Sequence, residues 1–255
     1  PVTGIGKLLS GIVMLLGYTI IAVPTGIVSV AMFKTVNGKK VIECPNCHRK
    51  GEFELWDSVN VDLDPELREK IFNEELFLYH CPHCGHVTGI PMDTLYHDMK
   101  NQFMLFFSFF KEDDFDYKPM DMEIPKSMMK GDYTFRMVFG LMQLKEKIVI
   151  LEHGLNDVAV ERQKYMISHV IMPEIAQKGY ELYFAKVDEP SEEFEYGAIY
   201  YFYEDKETEE IMTVRFAMDN YYEHCLACEI DPRMKVEGCV CVDQDWMNLK
   251  FQEDK

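Results

Sequence analysis

Two Cys-Pro-x-Cys pairs constrain this chain more than any other feature: Cys44-Pro45-Asn46-Cys47 and Cys81-Pro82-His83-Cys84. Two residues between thiolates let both sulfurs converge on one ion from a tight turn. The prolines pre-set that turn, and Gly85 can take the positive φ needed after a second ligand. Two such knuckles offer four thiolates in tetrahedral array, which suits structural zinc. Cys44, Cys47, Cys81 and Cys84 are therefore the candidate metal ligands, and zinc is the expected cofactor. Such a site is closed, with no open position for water, hence structural rather than catalytic. Residues 48–80 separate the pairs, more than a compact ribbon needs, so an inserted element is expected. Two other readings compete. Disulfides need an oxidising compartment, and a redox dithiol needs one pair opening a helix near a βαβ pattern. His48, His80, His83 and His86 lie beside the knuckles, as alternative ligands or as solvated neighbours.

Four further cysteines, Cys225, Cys228, Cys239 and Cys241, define a second candidate metal site. A Cys-x-Cys strand puts both sulfurs on one face, where a Cys-x-x-Cys pair could meet them. The alternative is four small buried hydrophobes, since free cysteine is often buried.

From Leu8 to Phe33 no side chain is charged. A helix needs about 20 apolar residues to cross a bilayer core, so a transmembrane helix is expected within residues 1–36. Gly17 and Pro24 interrupt it as a hinge and a kink. Lys34, Lys39, Lys40, Arg49 and Lys50 follow directly. That basic flank predicts a cell-membrane protein whose chain lies in the cytoplasm after about residue 34. Gly6-Lys7, Gly17 and Ala22-Val23-Pro24-Thr25-Gly26-Ile27 resemble the inner, pore-lining helix of voltage-gated-type potassium channels. The resemblance implies a homotetramer in a lipid bilayer. The selectivity filter of that family is absent from this sequence, so the expectation is an N-terminally truncated channel, or a channel helix joined to another domain.

Between the knuckles, Phe53–Leu63 alternates as a strand interrupted near Trp56. Asp64 then caps a helix that opens on Pro65, and Phe77–Tyr79 reads as a strand. Further on, Phe103–Phe110 is too short to span a bilayer and reads as a buried strand. Residues 112–132 read as a loop, Thr134–Phe139 as a strand and Leu141–Leu151 as a helix. Gly154 breaks that helix, and Asn156 caps another running to about Gln177. Glu181–Val187, Tyr196–Tyr203 and Glu210–Ala217 read as an antiparallel meander, with a last strand in Cys239–Phe251. The expected fold class is α+β: one transmembrane helix (1–36), a split zinc ribbon with a strand–helix insertion (37–100), and an antiparallel sheet with helices (101–255).

The two knuckles, Trp56-Asp-Ser-Val-Asn60, Asp64-Pro-Glu-Leu-Arg68, Tyr96-His-Asp-Met99, Gly140–Lys147, Gly154-Leu-Asn-Asp157 and Asp243-Gln-Asp-Trp246 resemble the bacterial CpXC domain family over about residues 42–251. The resemblance implies a cytosolic metal-binding domain with no assigned biochemical role. His48 departs from it, standing where the family usually carries glycine.

The formal charge is −18, which argues against nucleic acid as a partner, because phosphate binding needs clustered Lys and Arg. No GxSxG, P-loop, GxGxxG or HExxH motif occurs. Tyr96-His97-Asp98 sets a histidine beside a carboxylate, but adjacent side chains rarely point together. The chain is expected not to be an enzyme. It is read either as the C-terminal part of a channel or as a zinc-binding interaction module with an unknown protein partner.

Overall fold

The computed structural model describes residues 36–120 and 133–252. These form two compact units: residues 36–99 with Tyr133, and residues 100–120 with 134–252.

The first unit opens with a hairpin of β1 (Val36–Glu43) and β2 (Lys50–Asn60), paired antiparallel. β2 runs through Trp56 as one strand, and the expected interruption takes the form of a register shift: Val36 pairs with Ser58 and Asn37 with Trp56, so Asp57 is left out of the ladder. Asn60 ends it by accepting the backbone N–H groups of Leu63 and Asp64 on its carbonyl and that of Asp62 on its side chain. Helix α1 (Glu66–Phe72) follows Pro65 and buries Leu67 and Ile71. A second hairpin joins β3 (Leu78–His80) to β4 (Val87–Gly89). β5 (Thr94–Asp98) then returns to pair parallel with β2. A parallel return needs a crossover of a dozen or more residues, and residues 61–93 supply it.

The second unit begins with β6 (Phe103–Ser108) and β7 (Thr134–Phe139), which are parallel, as are β7 and β11 (Val240–Cys241). Phe103, Met104, Leu105 and Phe107 are all buried, the unbroken apolar run of a strand covered on both faces. Helix α2 (Leu141–Glu152) follows, then α3 (Asp157–Met166), whose first N–H groups, those of Val158 and Ala159, are accepted by the Asn156 side chain. The helix expected to run on to Gln177 breaks up: a π-helical turn spans Ile167–Ile171, and α4 restarts at Pro173–Gln177. Pro173 has no N–H and pushes the preceding Met172 off helical backbone; Met172 sits at φ −129°, ψ 68°. β8 (Tyr183–Asp188), β9 (Ala198–Asp205) and β10 (Glu210–Ala217) form the expected meander. Helix α5 (Met218–Ile230) comes next, and α6 (Gln244–Gln252) closes the unit.

Three expectations are corrected here. The sheet strands outside the meander and the hairpins are parallel, because long connections, not tight turns, join them. Cys239–Phe251 holds a strand of only two residues. The Asp243 side chain then accepts the Trp246 N–H and starts a helix that buries Trp246 and Met247. Finally, no helix among the described residues is long and apolar enough to cross a membrane. The longest, α5, has 13 residues, or about 20 Å of rise against the roughly 30 Å required. The fold class therefore stands as α+β without a membrane-crossing helix among the described residues, and the expected cell-membrane location with a cytoplasmic chain after residue 34 loses its support. The run that suggested it, with Gly17 and Pro24, lies outside the described residues.

The core of the second unit includes Ile150, Val160, Ile167, Leu182, Ile199, Tyr201 and Trp246. It also encloses six ionisable side chains, three basic and three acidic. Arg136 grips Asp157 through two bonds, Nε–Oδ2 at 2.7 Å and Nη2–Oδ1 at 2.9 Å. Lys147 adds a third at 3.2 Å. Lys164 binds Glu146 at 2.9 Å and Glu161 at 3.1 Å. Burial of these groups is tolerated because each has a partner of opposite sign, although burial outweighs Lys164 and Lys147 at Glu161 and pushes its carboxyl up to about 7.

Candidate metal centre

Each knuckle is the turn of a hairpin. Cys44 and Cys47 lie between β1 and β2, and Cys81 and Cys84 between β3 and β4. The two turns share one backbone pattern. The N–H of Cys44 donates to the Arg49 carbonyl, and that of His48 to Cys44. In the second turn, the N–H of Cys81 donates to His86, and that of Gly85 to Cys81. His48 and Gly85 thus hold the same place, and both have positive φ, 57° and 72°. The departure from glycine at His48 leaves the turn intact but puts a β-carbon in the left-handed region, at a cost of about 1–2 kcal/mol. His48→Gly is expected to stabilise the chain by about 1 kcal/mol, read as a rise in the midpoint of thermal unfolding; an unchanged midpoint would show that the histidine carries no strain.

The insertion brings the turns together. Cys44 Sγ lies 3.7 Å from Cys84 Sγ, and Cys47 Sγ 3.6 Å from Cys81 Sγ. All four sulfurs fall within 4.8 Å of one another. A tetrahedral ion with metal–sulfur bonds of about 2.3 Å sets its ligand atoms roughly 3.8 Å apart, so the donor set fits zinc. The spacing is also too long for S–S bonds of about 2.05 Å, and all eight cysteines are free.

Electrostatics favours a cation in the same place. Burial opposes ionisation of Cys81, but the backbone N–H groups of His83 and Cys84, helped by the Cys44 and Cys47 thiols, hold it down at about 6. The N–H of His86 chiefly lowers Cys84. Cys47 is pushed up to about 12: the Arg49 N–H works to lower it, and burial with the other three sulfurs prevails. Crowded acids ionise at one another's expense, and a divalent ion removes the conflict. The Asn46 amide donates to Cys84 Sγ at 3.7 Å. His48, His80, His83 and His86 are exposed and stand outside the ligand group; His83 instead contacts the Lys50 carbonyl at 3.2 Å.

Among the described residues these four cysteines form the one group of ligand atoms close enough to share an ion. Cys225 and Cys228 sit on α5, a helix the periodicity did not announce, while Cys239 precedes β11 and Cys241 lies in it. Burial raises all four thiols, Cys228 to about 11 and Cys239 to about 12. Buried, protonated thiols behave as small hydrophobes. His97 is fully buried, its Nε2 3.0 Å from the Tyr133 hydroxyl and its Nδ1 3.5 Å from the Asn60 amide. Tyr96-His97-Asp98 is thus packed inside the first unit.

A family model described as CpXC protein matches residues 42–164, which takes in both knuckles and the stretch to the end of α3's buried ion pairs. Nothing matches residues 1–33 to a potassium-channel pore helix. No curated protein and no solved structure matches the chain.

Proposed function

We propose that this chain is a CpXC-type module, extending to about residue 251, in which one zinc ion fastens two hairpins and the folded surface binds another protein. The observation that carries the proposal is the four-sulfur cluster at tetrahedral spacing. Four thiolates fill the coordination of zinc and leave no position for water or substrate, which favours a structural ion over a catalytic one. An ion so enclosed would act on the fold and not on a substrate, which supports a non-enzymatic reading of this site. A protein partner is supported by an apolar row on α5. Tyr222, Leu226 and Ile230 recur every fourth residue, so they share one face, and Ile230 is 81% exposed. The charge of −18 makes nucleic acid a poor partner. The channel reading, with its homotetramer and bilayer, has neither a matching family nor a suitable helix among the described residues behind it.

Elemental analysis of the purified chain tests the proposal. About one zinc per chain is expected, lost in Cys44→Ser and retained in Cys225→Ser. A folded, metal-free protein would overturn the zinc reading, and two ions per chain would return the later cysteines to consideration.

A further inference from the structure

Tyr79 is 2% exposed, and its hydroxyl, wholly buried, has no hydrogen-bond partner at full bonding distance among the described residues. A buried hydroxyl left unmade costs about 1–3 kcal/mol, so its place calls for an acceptor. Tyr79 lies in β3, and Cys81, just past the strand's end, continues the hairpin by donating its N–H to the His86 carbonyl, so the two keep the alternate-residue relation of one face. Burial holds the phenol above its ordinary pKa, and the Cys81 thiol, followed by those of Cys44 and Cys47, adds to the shift. The other side of the hydroxyl is closed by Gly51, at the start of β2. A β-carbon there would stand 2.1 Å from the hydroxyl and 3.2 Å from the Pro82 ring. The Phe53 ring meets Tyr79 edge-on at 6.3 Å and fixes the direction in which the phenol points.

Resting on the zinc reading above, we propose that the Tyr79 hydroxyl donates a hydrogen bond to the metal-bound sulfur of Cys81, and that position 51 has no side chain so that the hydroxyl can lie there. A thiol already bonded elsewhere gives this hydroxyl little to hold, whereas a metal-bound thiolate is a charged acceptor, for which such bonds are stronger. Donation to a ligand atom orients it and withdraws charge from it. Tyr79 is thus a positioning residue: it makes the Cys81 thiolate a poorer nucleophile and slows release of the ion.

The test compares the zinc-loaded full chain with Tyr79→Phe, which keeps the ring and its packing, and with Gly51→Ala, which displaces the hydroxyl while keeping it. Zinc release to a chromogenic chelator and alkylation by N-ethylmaleimide are expected to quicken about tenfold in both variants, the low end of what lost outer contacts cost metal sites. After cobalt substitution, the sulfur-to-metal charge-transfer band is expected to shift, which a purely packing role would not cause. Unchanged rates and an unchanged band in Tyr79→Phe would overturn the inference while leaving the zinc site standing. A wild-type chain that binds no zinc would instead overturn the reading on which it rests.

Discussion

Stripping zinc from the full chain, or replacing Cys81 by serine, is expected to unfold the first unit. Structural zinc in small modules carries roughly 10–16 kcal/mol of apparent binding energy, as large as the whole stability of an ordinary domain. In the first unit the four cysteines tie the β1–β2 turn to the β3–β4 turn, and β3 and β4 have only three residues each. Hairpins so short are marginal on their own. Hydrogen exchange followed by mass spectrometry is the measurement. Amides of 44–60 and 77–98 are expected to lose protection with excess chelator, while those around Ile150, Tyr201 and Trp246 keep theirs, because that core includes none of the four cysteines. Equal protection with and without metal would show the ion to be dispensable. The effect deepens with acid, since the ligand sulfurs must shed protons to bind and protons compete with the ion as pH falls.

Asp157→Ala is expected to be the most damaging single change in the second unit. Asp157 is 2% exposed and receives three bonds, two from Arg136 and one from Lys147. Alanine would leave the buried Arg136 without its counter-charge and Lys147 with only Glu161, 3.6 Å away. Breaking a buried pair from one side costs about 3–5 kcal/mol, which for a unit of this size lowers the unfolding midpoint by roughly 10 °C. A shift below about 1 kcal/mol in urea unfolding would mean that water or Glu161 takes over the role. The pH dependence has a definite sign. Burial alone would raise the Asp157 carboxyl, but Arg136 and Lys147 hold it well below the carboxylate range. The native state therefore binds the proton more weakly than the unfolded chain. Asp157 contributes stability above the ordinary value of about 3.9, and that contribution is lost as pH falls below it. The alanine variant is expected to show a shallower acid slope than wild type.

Much of the metal centre could be read in advance, because knuckle chemistry is local. Two cysteines, a proline and the residue after the second ligand fix one turn, and the spacing of the pairs announces an insertion. The Asn156 cap and the meander were legible for the same reason: side chains bond to their own backbone, and alternation marks a strand. Other features depended on distant residues. Cys225 and Cys228 fall on a helix that weak periodicity concealed. The parallel pairing of β7 with β11 joins residues more than a hundred positions apart, Arg136 to Val240, and no local pattern encodes a partner at that distance. The ion pairs around Asp157 were hidden because Lys147 and Lys164, read one by one, look like ordinary surface lysines.

The sequence by itself determined which four sulfurs could share an ion, since thiolate geometry is set within a few bonds. It also determined where the two knuckle turns and the Asn156 cap lie, whereas the expected Asp64 cap is not formed, the N-cap position falling on Pro65 with no side-chain bond. Only the tertiary structure decided that the two distant turns meet at 3.6–3.7 Å, that Tyr79 buries a hydroxyl beside them, and that six ionisable side chains pair within one core. The reason is physical: a turn forms from its own residues, whereas burial and pairing exist only once the whole chain has folded around them.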